Sequence, residues 1–311
     1  MSGLIKRSSR RRFRINEVSP ATNIILSTLM IALALLVFAP VLLVFIVSIS
    51  SPTSLVMNGY SFFPSEFSAI AYTGLFRSSD LLVNAYLMTI FYSVSSTLFS
   101  LFFTSMISYA IALKKFPLRT VLAFYIYFSG VLSGGLVPQY ILYTRYLQIN
   151  DTIWVFILPT MVAGFNVIVM RTFIQRAIPE ALFEAATIDG ANDWTIYWKI
   201  VLPLSKAALA TIGLLLFVAK WNEWFTGILY AQNPRLIPIM TLLQKMERNI
   251  DYLRSNTQVA QTSEALILLR DMPTESTRMA ITFLVSVPLL MAYPFFQRFF
   301  VKGMVVGSVK G

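Results

Sequence analysis

The sequence predicts an all-α integral membrane protein with six transmembrane helices. Three observations lead there. Of the 311 residues, 57% are hydrophobic and only 13% are charged, with a mean hydropathy of +0.69. A soluble domain typically carries about 25% charged residues. Apolar runs of the roughly 20-residue length that crosses a bilayer recur along the chain. Finally, six of the 25 Lys and Arg residues crowd into the first 14 positions, directly before the first such run. A basic tail in that place anchors a chain on an anionic membrane face, so it is read as an anchor and not as a nucleic-acid arm. The composition also narrows the chemistry. With no cysteine, disulfides, thiolate nucleophiles and cysteine metal sites are excluded. With no histidine, the commonest general base and metal ligand is missing, which argues against a membrane enzyme.

Taken in order, residues 1–22 form a basic tail (Lys6, Arg7, Arg10, Arg11, Arg12 and Arg14), and 23–311 form one transmembrane domain. Run lengths place the spans at about 23–50, 84–113, 119–141, 152–174, 205–231 and 279–300. The first run is too long for the apolar part of a signal peptide and is read as a retained helix. Lys114, Lys115, Pro117 and Arg119 separate the second span from the third, and Asn150 and Asp151 precede the fourth. Pro40, Pro138, Pro159 and Pro288 fall inside or near the ends of spans, where membrane helices tolerate a kink. With both termini cytoplasmic, sixteen basic residues lie inside and eight outside, and Lys220 lies within a span. That asymmetry fixes the expected orientation. The outer loop 232–278 opposes it with six basic residues, but long loops obey the rule less strictly. A second outer loop covers about 51–83.

The segment between the fourth and fifth spans, Ala177 to Pro203, has its own architecture. Pro179 and Glu180 suit the first turn of a helix, by fixed φ and by charge against the helix dipole. Ala181, Leu182, Ala185, Ala186 and Ile188 repeat at helical spacing. Gly190 stops the helix, Asn192 caps a second one containing Trp194, Tyr197, Trp198 and Ile200, and Pro203 leads into the fifth span. Small residues such as Ala185 and Ala186 let another surface approach the backbone closely. The whole reads as a rigid docking element.

This segment resembles the EAA loop of permease subunits of bacterial ABC importers. The pattern is Glu184-Ala185-Ala186, three residues to Gly190, then nine residues to Ile200-Val201-Leu202-Pro203. The flanking Ile188-Asp189-Gly190-Ala191 and Leu202-Pro203-Leu204 are similar to the carbohydrate branch, the type of the second permease of maltose importers. The likeness extends to Trp221-Asn222-Glu223-Trp224 and to Phe299-Phe300-Val301-Lys302-Gly303-Met304. Ala207 departs from it, standing where many relatives carry proline. The resemblance implies a type I importer permease in the bacterial plasma membrane, moving an oligosaccharide or similar glycan. It implies a coupling helix (Glu180, Glu184, Ala185, Ala186, Asp189 and Gly190, with the motif ending at Ile200, Leu202 and Pro203) that docks on an ATP-binding subunit. The implied partners are a second permease, two ATP-binding subunits and an external solute-binding protein, which the loop 232–278 would meet. The chain has no Gly-x-x-x-x-Gly-Lys-Ser/Thr phosphate loop, so Mg-ATP is expected on the partner subunits and no cofactor in this chain.

For the substrate pathway the residues leave alternatives open. Lys220 and Glu223 share a face of the fifth span, three residues apart, and intramembrane charges mark pathways or internal pairs. Trp221 and Trp224 lie on a neighbouring face, with Asn222 between, and suit either a sugar platform or the aromatic belt at a membrane edge. Asn84, Asn166, Gln175 and the Ser and Thr residues between 93 and 108 fit a pore lining or helix packing equally. Two other readings stand beside the sugar permease: a permease for glycerol phosphate or amino acids, and a membrane glycosyl or lipid transferase.

Overall fold

The computed structural model describes residues 19–77, 79–255 and 274–308. The basic tail therefore lies mostly outside the described residues, as does the stretch 256–273 of the outer loop. Among the described residues the regular structure is helical, apart from one isolated bridge between Ser50 and Phe67.

Helix α1 (Pro20–Ser48) opens on Ser19, whose hydroxyl accepts the Thr22 N–H at 3.2 Å, with Pro20 in the first turn. Most of its surface is exposed. For an apolar helix in lipid that is no cost. Short helices α2 (Pro52–Asn58) and α3 (Ile70–Arg77) lead to α4 (Ser79–Ala112), the central helix of the fold. Then come α5 (Arg119–Val131), α6 (Leu136–Ile141, prolonged by a π turn to Tyr146), α7 (Trp154–Ile157) and α8 (Gly164–Ala177). The inter-span loop holds α9 (Glu180–Ile188), α10 (Asp193–Ile196) and α11 (Leu202–Leu204). The chain ends with α12 (Lys206–Trp221), α13 (Phe225–Tyr230), α14 (Ile239–Ser255) and α15 (Glu275–Ser308).

Three expected spans are unbroken: Pro20–Ser48, Asp80–Ala112 and Glu275–Pro294. The other three are bent pairs. Arg119–Val131 meets Leu136–Tyr146 at 109°, Trp154–Thr160 meets Gly164–Ala177 at 48°, and Asp193–Leu204 meets Lys206–Trp221 at 76°. Six crossings follow when each pair counts as one. The third run, expected as 119–141, thus turns sharply after Val131, at Leu132-Ser133-Gly134-Gly135. The fifth, expected as 205–231, splits at Asn222–Trp224 into α12 and α13. Hydropathy stays high across the first break, and the second falls in the short polar stretch Lys220–Trp224 that an apolar run on either side encloses, which is why run length alone does not show them.

The core has two ends. At one, Ala85, Trp221, Ile239, Leu242, Ala280 and Ile281 join α4, α12, α14 and α15. At the other, Tyr109, Met170, Ile174, Ile196, Tyr197 and Ile212 join α4 and α8 to the inter-span loop and α12. Along α4, Ser93, Ser96, Ser100, Thr104 and Ser108 are buried, and the Ser108 hydroxyl donates to the Val167 carbonyl at 2.9 Å. Small side chains here let α8 and α12 approach α4 closely. This face serves helix packing within the chain.

Candidate functional site

The inter-span loop folds as a helix, a turn and a second helix. Pro179 stands at the N-cap of α9 and Glu180 in its first turn. At the other end Asp189 is the C-cap and Gly190 follows with φ +80°. The Ala191 N–H donates to the Ala186 carbonyl at 2.9 Å and the Gly190 N–H to the Thr187 carbonyl at 3.1 Å. That is the Schellman pair of bonds, which needs a left-handed residue where Gly190 stands. Asn192 then caps α10 by accepting the Thr195 N–H at 2.8 Å. A π turn, Tyr197–Val201, carries Ile200 into Leu202 and Pro203 of α11.

Two ion pairs fasten this loop to the end of α4. Lys114 Nζ lies 2.5 Å from Glu180 Oε2, and Lys115 Nζ lies 2.8 Å from Asp193 Oδ1. All four side chains are more than half exposed, so each pair contributes at most about 1 kcal/mol. Burial holds the loop more firmly. Phe183 and Ala186 pack on the cluster of Tyr109, Ile178, Ile196 and Tyr197. The rest of the apolar face turns outward. Leu182 and Ile188 are exposed, Ile188 at 84%, together with Glu184 and Ala185. Glu184 makes no ion pair among the described residues. Between α9 and the end of α4 lies a cavity of about 760 Å³, lined by Tyr109, Leu113, Gln175, Phe183 and Glu184 among others.

The second set of candidates surrounds the break between α12 and α13, and the structure divides it. Trp221 is 1% exposed, its indole N–H donates to the Val285 carbonyl at 3.0 Å, and its ring packs against Phe217 and Tyr86. Its ring therefore has no open face for a sugar. Lys220, 9% exposed, sends its ammonium to the Phe156 carbonyl at 3.4 Å, and the Tyr92 hydroxyl donates to its backbone carbonyl. Glu223 does not close on Lys220 as an ion pair; its Oε1 accepts the Thr226 N–H at 3.0 Å and caps α13. Asn222 is exposed, with its amide on the Val218 carbonyl at 2.9 Å. Trp224 carries the Arg248 guanidinium 5.4 Å from its ring centre. Among the described residues no group of three or more acidic side chains could hold a metal ion.

A family model described as the inner membrane component of binding-protein-dependent transport systems matches residues 85–306. The chain belongs to that family. This permease is 36% identical over 278 residues to the polygalacturonan/rhamnogalacturonan transport system permease protein YtcP of Bacillus subtilis strain 168, covering 89% of this chain and 94% of that protein. It is 32% identical over 272 residues to protein LplC of the same strain, covering 88% and 89%. Among solved structures it is similar to a chain of a bacterial ABC transporter involved in the import of the acidic polysaccharide alginate. The TM-score is 0.76 at 29% identity, over 96% of this chain and all of that one.

Sequence reasoning missed several groups in this permease. Phe183 is the inward anchor of α9, and its i, i+3 spacing to Ala186 was a visible signal. Lys114 and Lys115 read only as orientation charges, because their partners lie 66 and 78 residues away in the chain. Arg248 gave no signal: pairing with Trp224 depends on how α14 folds back.

Proposed function

We propose that this chain is one of the two permease subunits of an ATP-driven importer for oligosaccharides, and that its inter-span loop is the coupling element for the ATP-binding subunit. The observation that carries the reading is the surface of α9. An apolar and acidic face (Leu182, Glu184, Ala185 and Ile188) stands exposed on a helix fixed by the Gly190 turn and by Phe183. Exposed apolar groups on a rigid helix outside the bilayer serve a protein partner. Glu184 is left to meet a cation of that partner. Asp189 sits at the negative end of the helix dipole, an unfavourable place for a carboxylate without an external cation.

In this reading the coupling loop and both termini face the cytoplasm, as the Lys and Arg distribution favours. Mg-ATP binds to the partner ATPases, a second permease completes the pathway, and a solute-binding protein docks at the opposite end near α14. The substrate class follows the relatives, named for transport of polygalacturonan and rhamnogalacturonan and for import of alginate. The first candidates are therefore uronate-containing oligosaccharides. The test is ATP hydrolysis by the reconstituted complex with its binding protein, across oligogalacturonates, alginate oligomers, neutral oligosaccharides and glycerol 3-phosphate. Stimulation by a saccharide is expected. Stimulation by glycerol 3-phosphate alone would overturn the substrate class while leaving the permease assignment in place.

A further inference from the structure

Helix α14 is held in two different ways along its length. Its first turns belong to the core: Ile239, Thr241, Leu242 and Leu243 are buried. The Ile239 N–H donates to Thr89 Oγ1 at 2.8 Å, and the Thr241 hydroxyl donates to the Trp224 carbonyl at 3.0 Å. Gly227 of α13 lies so close that a Cβ there would stand 2.1 Å from Thr241 Oγ1. Farther along, two neighbouring residues reach two different helices. The Arg248 guanidinium lies over the Trp224 ring, 5.4 Å from its centre. Glu247 lies 3.7 Å from the Arg278 guanidinium, which also pairs with Glu275 at 3.1 Å in the first turn of α15.

We infer that the Arg248–Trp224 contact is a latch through which α14 positions the break in the fifth span, and that docking of the external binding protein acts on the break through it. The inference rests on the importer reading above. The first half of α14 is fixed by burial and by hydrogen bonds into α4 and to Trp224, so it cannot shift without opening the core. In the second half, among the described side chains, the ties are one cation–π contact at an exposed arginine and one long ion pair. Both are weak enough for a docked protein to alter. Trp224 is the N-cap residue directly before α13, next to Glu223, whose carboxylate accepts the Thr226 N–H. A displacement of Arg248 is therefore felt at the residues that separate α12 from α13. Glu247 and Arg278 make the matching tie to α15.

The experiment uses the complete reconstituted complex, with saccharide-loaded binding protein titrated on the outside. It reads basal ATP hydrolysis, maximal stimulation and the half-saturating concentration of binding protein. For Arg248→Gln, maximal stimulation is expected to fall about two- to fivefold, the size of an exposed cation–π contact. Basal hydrolysis and the half-saturating concentration are expected to stay unchanged, while Arg248→Lys recovers most of the stimulation. Combining Arg248→Gln with Trp224→Leu is expected to cost no more than the larger single effect, since both remove one contact. Additive losses, a raised half-saturating concentration, or a proportional fall in basal and stimulated rates would each overturn the latch. The first two point to direct contact with the binding protein, the third to plain structural damage. A wild-type complex that its binding protein does not stimulate would instead sink the importer reading, and the latch with it.

Discussion

Gly190 sits at φ +80° with open space where a Cβ would stand. Only backbone strain therefore opposes a side chain there. Asparagine tolerates that conformation and alanine costs about 1 kcal/mol, whereas proline cannot adopt it. Gly190→Asn is expected to keep the ATP-binding subunits bound on co-purification, and Gly190→Pro to lose them. Retention by the proline variant would remove the turn from the coupling role. Gly227 is the opposite case, limited by space and not by φ. Its missing Cβ would collide with Thr241 Oγ1, Cγ2 and Cβ, at 2.1, 2.8 and 2.9 Å. Overpacking of this kind costs about 1–3 kcal/mol. Gly227→Ala is expected to lower the melting temperature of the detergent-solubilised protein; an unchanged melting curve would mean that α13 and α14 part easily. The first glycine was legible in the sequence because a helix stop has a local pattern. The second was not, because its reason is a threonine on another helix.

At the scale of the element, α9 illustrates how far periodicity reaches. Its helical spacing, its start at Pro179 and its stop at Gly190 were all present in the chain order. Which face turns inward was not, since an outward apolar face on a docking helix mimics a core face. Phe183 resolves the ambiguity by packing on Tyr109 and Ile178. Phe183→Ala is expected to cost about 2 kcal/mol of stability, less than a fully buried phenylalanine. It is also expected to lower the saccharide moved per ATP hydrolysed, because α9 then shifts against the end of α4. An unchanged transport-to-hydrolysis ratio would argue that the ion pairs at Lys114 and Lys115 suffice to hold the helix. Breaks in spans were the other illegible feature. The turn at Leu132–Gly135 leaves hydropathy high while interrupting the hydrogen-bond ladder, and the split at Asn222–Trp224 falls on polar residues that read equally well as charges within an unbroken helix. At the second break the candidate pathway residues part company: Trp221 fills the core, Glu223 caps α13 and Trp224 meets Arg248.

For the whole molecule, orientation is the property most open to direct measurement. The chain has no cysteine, so a single introduced thiol reports its own side of the membrane without background. In right-side-out vesicles stripped of peripheral proteins, Asn150→Cys is expected to react with an impermeant maleimide, and Thr187→Cys only after permeabilisation. The reverse pattern would invert the topology. The exposure of α1 has a consequence for how such a chain is made. α1 packs on α15, with the Phe45 and Phe283 rings 4.7 Å apart, and meets α3 at its end through Ser48 and Tyr72, so the first helix finds its main neighbour among the described residues in α15. At about 5–20 residues per second, a ribosome needs roughly ten to fifty seconds to travel from one to the other. During that interval most of α1 must wait among lipids, which its largely apolar surface permits. A truncation before α15 would leave that wait without an end, and membrane quality control would meet an orphan helix at the start of an otherwise finished bundle.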